Sequence, residues 1–348
     1  MTSRSDILGV LEAAGGFVSG EALAEKTGIS RAAVWKHIRA LKLGGWDIEG
    51  ARAKGYRLNA APVSLSEGAI RARLGGGAIG RRIVLLDVTR STNSDAMALG
   101  REGEPEGTVV VAEEQTAGRG RLGRAWESSR GVNLYLSVLL RPAIAPWKAP
   151  QLSLLAGVAV AEAVREEGID ARIKWPNDVV VAGGPGADAD AAAGPATGAP
   201  PLRKLAGILT EIEAEADRVA FVVTGIGVNL NSEASHFSAE LAGKATSVRM
   251  EGGSRVDRAA FAARLLAHLD RLYADWTARG FAAVAPRWRE LSVLDGRRVT
   301  VSAPGETYEG TCAGIDDEGA LLVGTGGAAP RRVLAGDVTI AGAYGGGN

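Results

Sequence analysis

Two serines, Ser19 and Ser30, each stand just ahead of a helix-length stretch, and Thr27-Gly28-Ile29 separates the two stretches. A serine at that position accepts a hydrogen bond from an otherwise unpaired amide of the first helical turn. A glycine between two helices permits the tight turn that joins them. A further helix over residues 5–14, closed by Gly15-Gly16, precedes the pair. This pattern predicts a helix-turn-helix. In the third helix Val34, Ile38 and Leu41 recur at helical spacing, and Arg31, Trp35, Lys36 and Arg39 occupy the opposite face. Gly44-Gly45-Trp46-Asp47-Ile48-Glu49-Gly50 and Lys54-Gly55-Tyr56-Arg57-Leu58 read as a two-stranded wing.

Between residues 31 and 57 seven lysines and arginines face two acids, whereas the whole chain balances 40 cations against 40 anions. The basic character is therefore local. A basic helix face of this kind meets phosphates and enters the major groove. Ser30, Arg31, Trp35, Lys36, Arg39 and Lys54 are the expected DNA-contacting residues. The same face also suits the solvated side of a dimerisation module. One chain carries one such head, and paired half-sites require two, so DNA binding implies a homodimer. Ala60-Ala61-Pro62 reads as the linker that ends this unit, residues 1–60.

Composition removes several chemistries. The 348 residues contain one cysteine, Cys312, and three well-separated histidines, His37, His236 and His268. An intramolecular disulfide is excluded, and a Cys- or His-based metal cluster is not expected. Cys312 is expected to be buried, and His236 and His268 to lie on surfaces or helix faces. No apolar run approaches the length of a membrane span, and the N-terminus leads into no signal-type core. A cytoplasmic, membrane-free protein is expected.

Beyond the linker, strands alternate with helices. Apolar strands over 83–88, 108–112 and 133–140, a helix from about Asp95, a helix over 151–167, and strands over 204–211 and 219–228 indicate an α+β mixed sheet. Gly118-Arg119-Gly120-Arg121-Leu122-Gly123 matches the spacing of a dinucleotide-binding loop. Its surroundings do not: no amphipathic helix follows, and no ribose-binding acid stands about 20 residues on. Glycines interleaved with arginines suit a loop that orders around an anion, since guanidinium groups bind carboxylate and phosphate bidentately. The composition is equally that of a solvated surface loop. Lys174, ahead of Trp175-Pro176, can aim an ammonium into a cleft or simply lie beside a structural corner. Asn177-Asp178 is turn chemistry that could also position magnesium, and Ser91-Thr92-Asn93 is a helix cap that also presents polar groups to a ligand.

Five segments occur in order: Ser91-Thr92-Asn93; Gln115 with Gly118-Arg119-Gly120-Arg121, Gly123-Arg124 and Trp126; Lys174-Trp175-Pro176-Asn177-Asp178; Lys204-Leu205-Ala206-Gly207-Ile208-Leu209; and Gly225-Ile226-Gly227-Val228-Asn229. Together they resemble bacterial biotin protein ligase, and the winged module makes the chain similar to the bifunctional class that also represses the biotin operon. The resemblance implies a winged helix-turn-helix over 1–60. It implies a mixed-sheet catalytic domain of the class II synthetase/biotin-lipoate ligase type over 78–290, and an SH3-like small β-barrel over 293–342. It implies that biotin and MgATP form biotinyl-5′-adenylate, and that a lysine of a biotin carboxyl carrier protein then takes the biotinyl group. Ser91, Thr92, Asn93 and Gln115 would surround the ureido end. Arg119, Gly120 and Arg121 would close over the carboxylate, and Lys174 would meet carboxylate and α-phosphate. Arg121, Arg124, Trp126, Lys174, Asn177 and Asn229 would bind the nucleotide, with Lys174 and Arg121 as catalytic groups.

Residues 182–200 depart from that pattern: sixteen of these nineteen are Ala, Gly or Pro. They read as a disordered insertion between two strands otherwise joined by a hairpin. Two further readings share the motifs: a ligase with a vestigial DNA-binding module, and a biotin-sensing transcription factor without catalysis. A sensor has no need of groups that join biotin to ATP, and Lys174 and the arginine loop are such groups.

Overall fold

The computed structural model describes residues 4–43, 46–60, 65–183, 201–215, 217–303, 305–327 and 329–340. The expected linker at 61–62 and most of the expected insertion, 184–200, lie outside these residues.

The N-terminal unit packs α1 (Arg4–Ala14), α2 (Gly20–Thr27) and α3 (Arg31–Leu43) against a hairpin of β1 (Asp47–Ala51) and β2 (Gly55–Ala60). Ser19 Oγ accepts from Ala22 N at 3.0 Å, and Ser30 Oγ from Ala33 N at 3.2 Å, so both serines cap as expected. Gly28, at φ +69°, closes α2 in a left-handed conformation open to glycine at little cost. Ile7, Leu11, Leu23, Val34, Ile38 and Ile48 form this unit's own core. Val18 and Tyr56 exchange backbone hydrogen bonds of 2.8 Å, which fasten the wing to the helices.

After α4 (Glu67–Arg71), the central domain alternates β3 (Arg82–Thr89), α5 (Thr92–Arg101), β4 (Thr108–Gln115), β5 (Leu134–Leu140), α6 (Pro150–Arg165), β6 (Arg172–Lys174), β7 (Asp178–Ala182), β8 (Leu202–Glu215) and β9 (Arg218–Val228). It ends with α7 (Val248–Gly252), α8 (Arg258–Arg279) and α9 (Ala285–Leu291). The described strands form a seven-stranded sheet in the order β3-β4-β5-β9-β8-β7-β6. β3 and β4 run parallel and the remaining neighbours antiparallel, which makes the sheet mixed. β5 is buried throughout because both sheet faces are covered. Leu134, Leu136, Val138 and Leu140 belong to the large core with α6 and α8, and Leu139 packs with Ala96 of α5. β7 and β8, which flank the expected insertion, pair antiparallel down to Ala182↔Leu202, so Ala182, expected to open the insertion, instead ends β7. Sequence periodicity placed the start of α5 near Asp95; it begins at Thr92 because Ser91, extended at φ −165°, is the N-cap.

The C-terminal unit is β10 (Arg298–Ala303), β11 (Glu306–Ile315), β12 (Leu321–Gly324), β13 (Arg331–Val333) and β14 (Asp337–Ile340), in an antiparallel order β13-β12-β11-β10-β14. It docks on the central domain: Trp175 Nε1 donates to Gly319 O at 3.2 Å and Gln151 Nε2 to Glu318 O at 3.0 Å. Cys312 is buried in it. His236 departs from expectation. It is buried in a short turn, its Nδ1 accepting from Glu233 N at 3.0 Å. No described helix is long and apolar enough to cross a membrane.

Candidate active site

On the sheet face that carries α5, the register of three strands sets glycines of β9 at the centre of two rows. Ser137 of β5 pairs with Gly225 of β9, which pairs with Leu209 of β8. One row along, Tyr135, Gly227 and Gly207 align in the same way. A cavity of about 450 Å³ opens over this floor. The absent side chains matter: a Cβ at Gly225 would overlap Asn93 Oδ1, and one at Gly227 would come within 2.5 Å of the Trp126 indole. Glycine is what lets Asn93 and Trp126 lie directly on the sheet.

One end of the cavity is polar and uncharged. Ser91, Thr92 and Asn93 are nearly fully buried, and the Ser91 hydroxyl makes no cap hydrogen bond. Thr92 N and Oγ1 both donate to Gln115 Oε1, at 2.9 and 3.1 Å. Gln115 Nε2 donates in turn to Ser128 Oγ at 3.0 Å. Ser137 Oγ lies 2.8 Å from Thr92 Oγ1 and 2.6 Å from Asn93 Oδ1. Asn93 Nδ2 donates to Leu209 O at 3.1 Å and to Glu211 Oε2 at 2.7 Å. Hydroxyl and amide groups held this firmly offer the mixed donors and acceptors that a planar urea-like group requires.

The arginine loop folds back as a strap. Trp126 N donates to Gly118 O at 2.9 Å and Gly120 N to Arg124 O at 2.7 Å, with Leu122 and Gly123 at positive φ at the tip. No helix follows the strap, and β5 comes next, so the dinucleotide-loop reading fails on structure as well. Each of its arginines meets a carboxylate: Arg119 meets Glu211 at 3.3 Å, while Arg121 and Arg124 meet Asp337 at 3.4 and 2.5 Å. Arg121 also donates to Gly336 O at 3.0 Å and to Asn177 Oδ1 at 3.3 Å. The strap is thus held to the sheet at one end and to the C-terminal unit at the other.

Cations gather at the opposite end of the cavity. Lys174 closes β6 opposite Asp178 of β7. Burial pulls its ammonium below the ordinary lysine range, partly offset by the Asp178 charge. Lys204 Nζ lies 2.6 Å from Asp178 and 5.4 Å from the Trp126 ring. Asn177 lines the wall, with its Nδ2 donating to Ile208 O at 2.9 Å. Asn229 also lines the wall, but its amide is engaged with Thr246 O at 3.0 Å and Asn133 Nδ2 at 3.4 Å. Its side chain braces the end of β9.

Every residue expected to bind biotin or nucleotide lines this one cavity. Sequence reading missed Ser128, Ser137, Glu211 and Asp337, and it quoted Lys204 without a role. Ser137, a lone polar residue in Leu-Tyr-Leu-Ser-Val-Leu-Leu, was the one with a visible signal. The expected DNA-contacting residues group separately. Arg31, Trp35, Lys36, Arg39 and Lys54 are exposed, with Arg39 5.6 Å over the Trp35 ring, and Ser30 caps α3 beside them.

A cleft graded from neutral amides and hydroxyls to clustered cations, on a mixed sheet with a winged head, belongs to a class: protein ligases of the biotin/lipoate type. Residues 85–229 match the Biotin/lipoate A/B protein ligase family, 3–57 an HTH domain, and 296–340 the Biotin protein ligase C terminal domain. The chain is 39% identical over 326 residues to the bifunctional ligase/repressor BirA of Bacillus subtilis, spanning 93% of this chain and 94% of that protein. It is 36% identical over 315 residues to BirA of Escherichia coli, spanning 90% of each. The biotin protein ligase from Aquifex aeolicus in complex with biotin and ATP superposes with a TM-score of 0.59 at 25% identity, over 75% of this chain and 99% of that one. The chain belongs to the bifunctional biotin protein ligase/repressor family.

Proposed function

We propose that the unit spanning 78–290, completed by 293–342, joins biotin to ATP and passes the biotinyl group to a carrier lysine, while the unit spanning 1–60 binds operator DNA. Ser91, Thr92, Asn93 and Gln115 take the ureido group. Arg119, Gly120 and Arg121 close over the carboxylate, and Lys174 bridges carboxylate and α-phosphate. Trp126 covers the adenine, Arg121, Arg124 and Asn177 hold the phosphates, and Asn229 braces the wall behind them.

The first step brings two anions together. A carboxylate oxygen attacks the α-phosphorus, and pyrophosphate leaves. Lys174 and Arg121 offset the repulsion and the charge that develops in that transition state. In the second step the acceptor amine attacks the acyl carbon, an amide forms and AMP leaves. No enzyme nucleophile takes part. A closed strap keeps water from the mixed anhydride. Magnesium is expected on the triphosphate, where phosphate oxygens and water would supply most of its ligands.

One observation carries this reading: the neutral pocket, the arginine strap and Lys174 share a single cavity. The test is incubation with ATP, labelled biotin and a biotin carboxyl carrier domain. Label should appear on the carrier, and biotin should drive exchange of labelled pyrophosphate into ATP. Absence of that exchange removes the ligase reading. Exposed cations on α3 and the wing support operator binding by a cytoplasmic homodimer that represses when loaded with biotinyl-adenylate. Deleting residues 1–60 should abolish an operator shift and leave ligation measurable.

A further inference from the structure

An acid beside an anion-binding strap is electrostatically out of place, since it repels the groups the strap must hold. Glu211 is such an acid. It stands on β8 two residues beyond Leu209, behind the neutral end of the cavity rather than on its wall. Its carboxylate joins two parts that the backbone leaves separate. Oε2 accepts from Asn93 Nδ2 at 2.7 Å, and both oxygens lie 3.3–3.4 Å from Arg119 Nη2, which also reaches Ser94 Oγ at 3.1 Å. Asn93 is thereby oriented from both sides: its amide nitrogen faces Glu211 and Leu209 O, and its oxygen faces Ser137 Oγ at 2.6 Å.

We propose that Glu211 is a positioning residue of the ligase, tying the arginine strap at Arg119 to the buried Asn93 so that the activated acyl group stays enclosed until the acceptor arrives. Its position explains why a negative charge is tolerated. The Asn93 end of the cavity receives the uncharged part of the ligand, whereas Lys174, Lys204 and Arg121 gather at the other end. Asp337 holds the strap through Arg121 and Arg124. Glu211 holds it through Arg119 and is the strap's anchor on the sheet. This inference rests on the ligase reading above.

The experiment compares two acceptors, a biotin carboxyl carrier domain and serum albumin. An albumin lysine reached by escaped adenylate attacks the acyl carbon, forms the amide and releases AMP and a proton. Glu211→Gln keeps an acceptor for Asn93 and removes the charge facing Arg119. A half-exposed ion pair is worth little, so the albumin-to-carrier labelling ratio should rise roughly twofold to fivefold, with the KM for biotin within about twofold of wild type. Glu211→Ala removes both contacts and should add a rise of roughly tenfold in that KM. Glu213→Gln, on the same strand as Glu211, frees Arg101 of α5; it is the control and should leave the ratio unchanged. A ratio equal to wild type in both Glu211 variants overturns the proposal. So does a parallel fall of both labels, the mark of a merely structural role. If the wild-type protein forms no biotinyl-adenylate, the ligase reading itself fails and the inference falls with it.

Discussion

Arg121 and Asp337 stand 216 positions apart in the chain and 3.4 Å apart in space. The same carboxylate meets Arg124 at 2.5 Å. The C-terminal unit therefore contributes to the catalytic cleft by holding the strap that closes it.

Removing that hold should be felt first at the nucleotide. Asp337→Asn is expected to raise the KM for ATP by roughly threefold to tenfold. Stability should change by about 1 kcal/mol or less, because the pair is partly solvated. Initial rates of pyrophosphate exchange and a urea unfolding curve separate the two effects. An unchanged KM would show that the bridge has no bearing on the loaded site.

Lys174→Ala and Arg121→Ala should each lower adenylate formation by roughly 10²–10³-fold, the loss expected when a group that stabilises developing charge is deleted. Neither should shift the thermal midpoint by more than a few degrees. Burial depresses the Lys174 ammonium. Raising the pH should therefore neutralise it, and slow adenylation, below the ordinary lysine range. Lys174→Arg, which stays charged, should move that alkaline limb upward. A limb that does not respond to Lys174→Arg assigns the ionisation elsewhere.

Arg258 is a fully buried cation. At 1% side-chain exposure it grips Glu113 at 2.7 and 3.1 Å and reaches Asn133 O at 3.3 Å. Arg258→Ala leaves a carboxylate without its counter-charge, so a loss of about 3–5 kcal/mol is expected in denaturant unfolding. A loss under about 1 kcal/mol would mean that water reaches Glu113.

The α6–α8 seam should give stability a pH optimum. The hydrogen bond from His268 pulls the Glu162 carboxyl down to about 2, and the same contact raises the His268 imidazolium. A depressed acid stabilises above its unfolded value of about 4.5 and loses that contribution as pH falls towards 2. A raised histidine stabilises fully below its unfolded value of about 6.5 and loses that contribution as pH climbs through the folded value. Both contributions are complete only from about pH 4.5 to 6.5. His268→Gln should flatten the alkaline side of that window in unfolding curves taken across pH.

The site was legible as far as its parts lie on short stretches of chain. Ser91-Thr92-Asn93, the arginine strap and Lys174-Trp175-Pro176-Asn177-Asp178 all reach the cavity. Asn229 reached it too, yet its amide serves Thr246 and Asn133, a use that depends on what surrounds the end of β9. His236 was misjudged for a similar reason: a polar residue in a loop reads as exposed until the turn around it is known.

Local physics made the helix-turn-helix readable, because serine caps, a glycine turn and an apolar stripe act over a few residues. The same holds for the strand alternation and for a strap rich in glycine and arginine. What depended on tertiary structure was the set of partners. Ser137 meets Asn93, Glu211 meets Arg119, and Asp337 meets Arg121 and Arg124 through strand register and domain docking. Such contacts join residues distant in the chain, and a spacing pattern can record only neighbours along it.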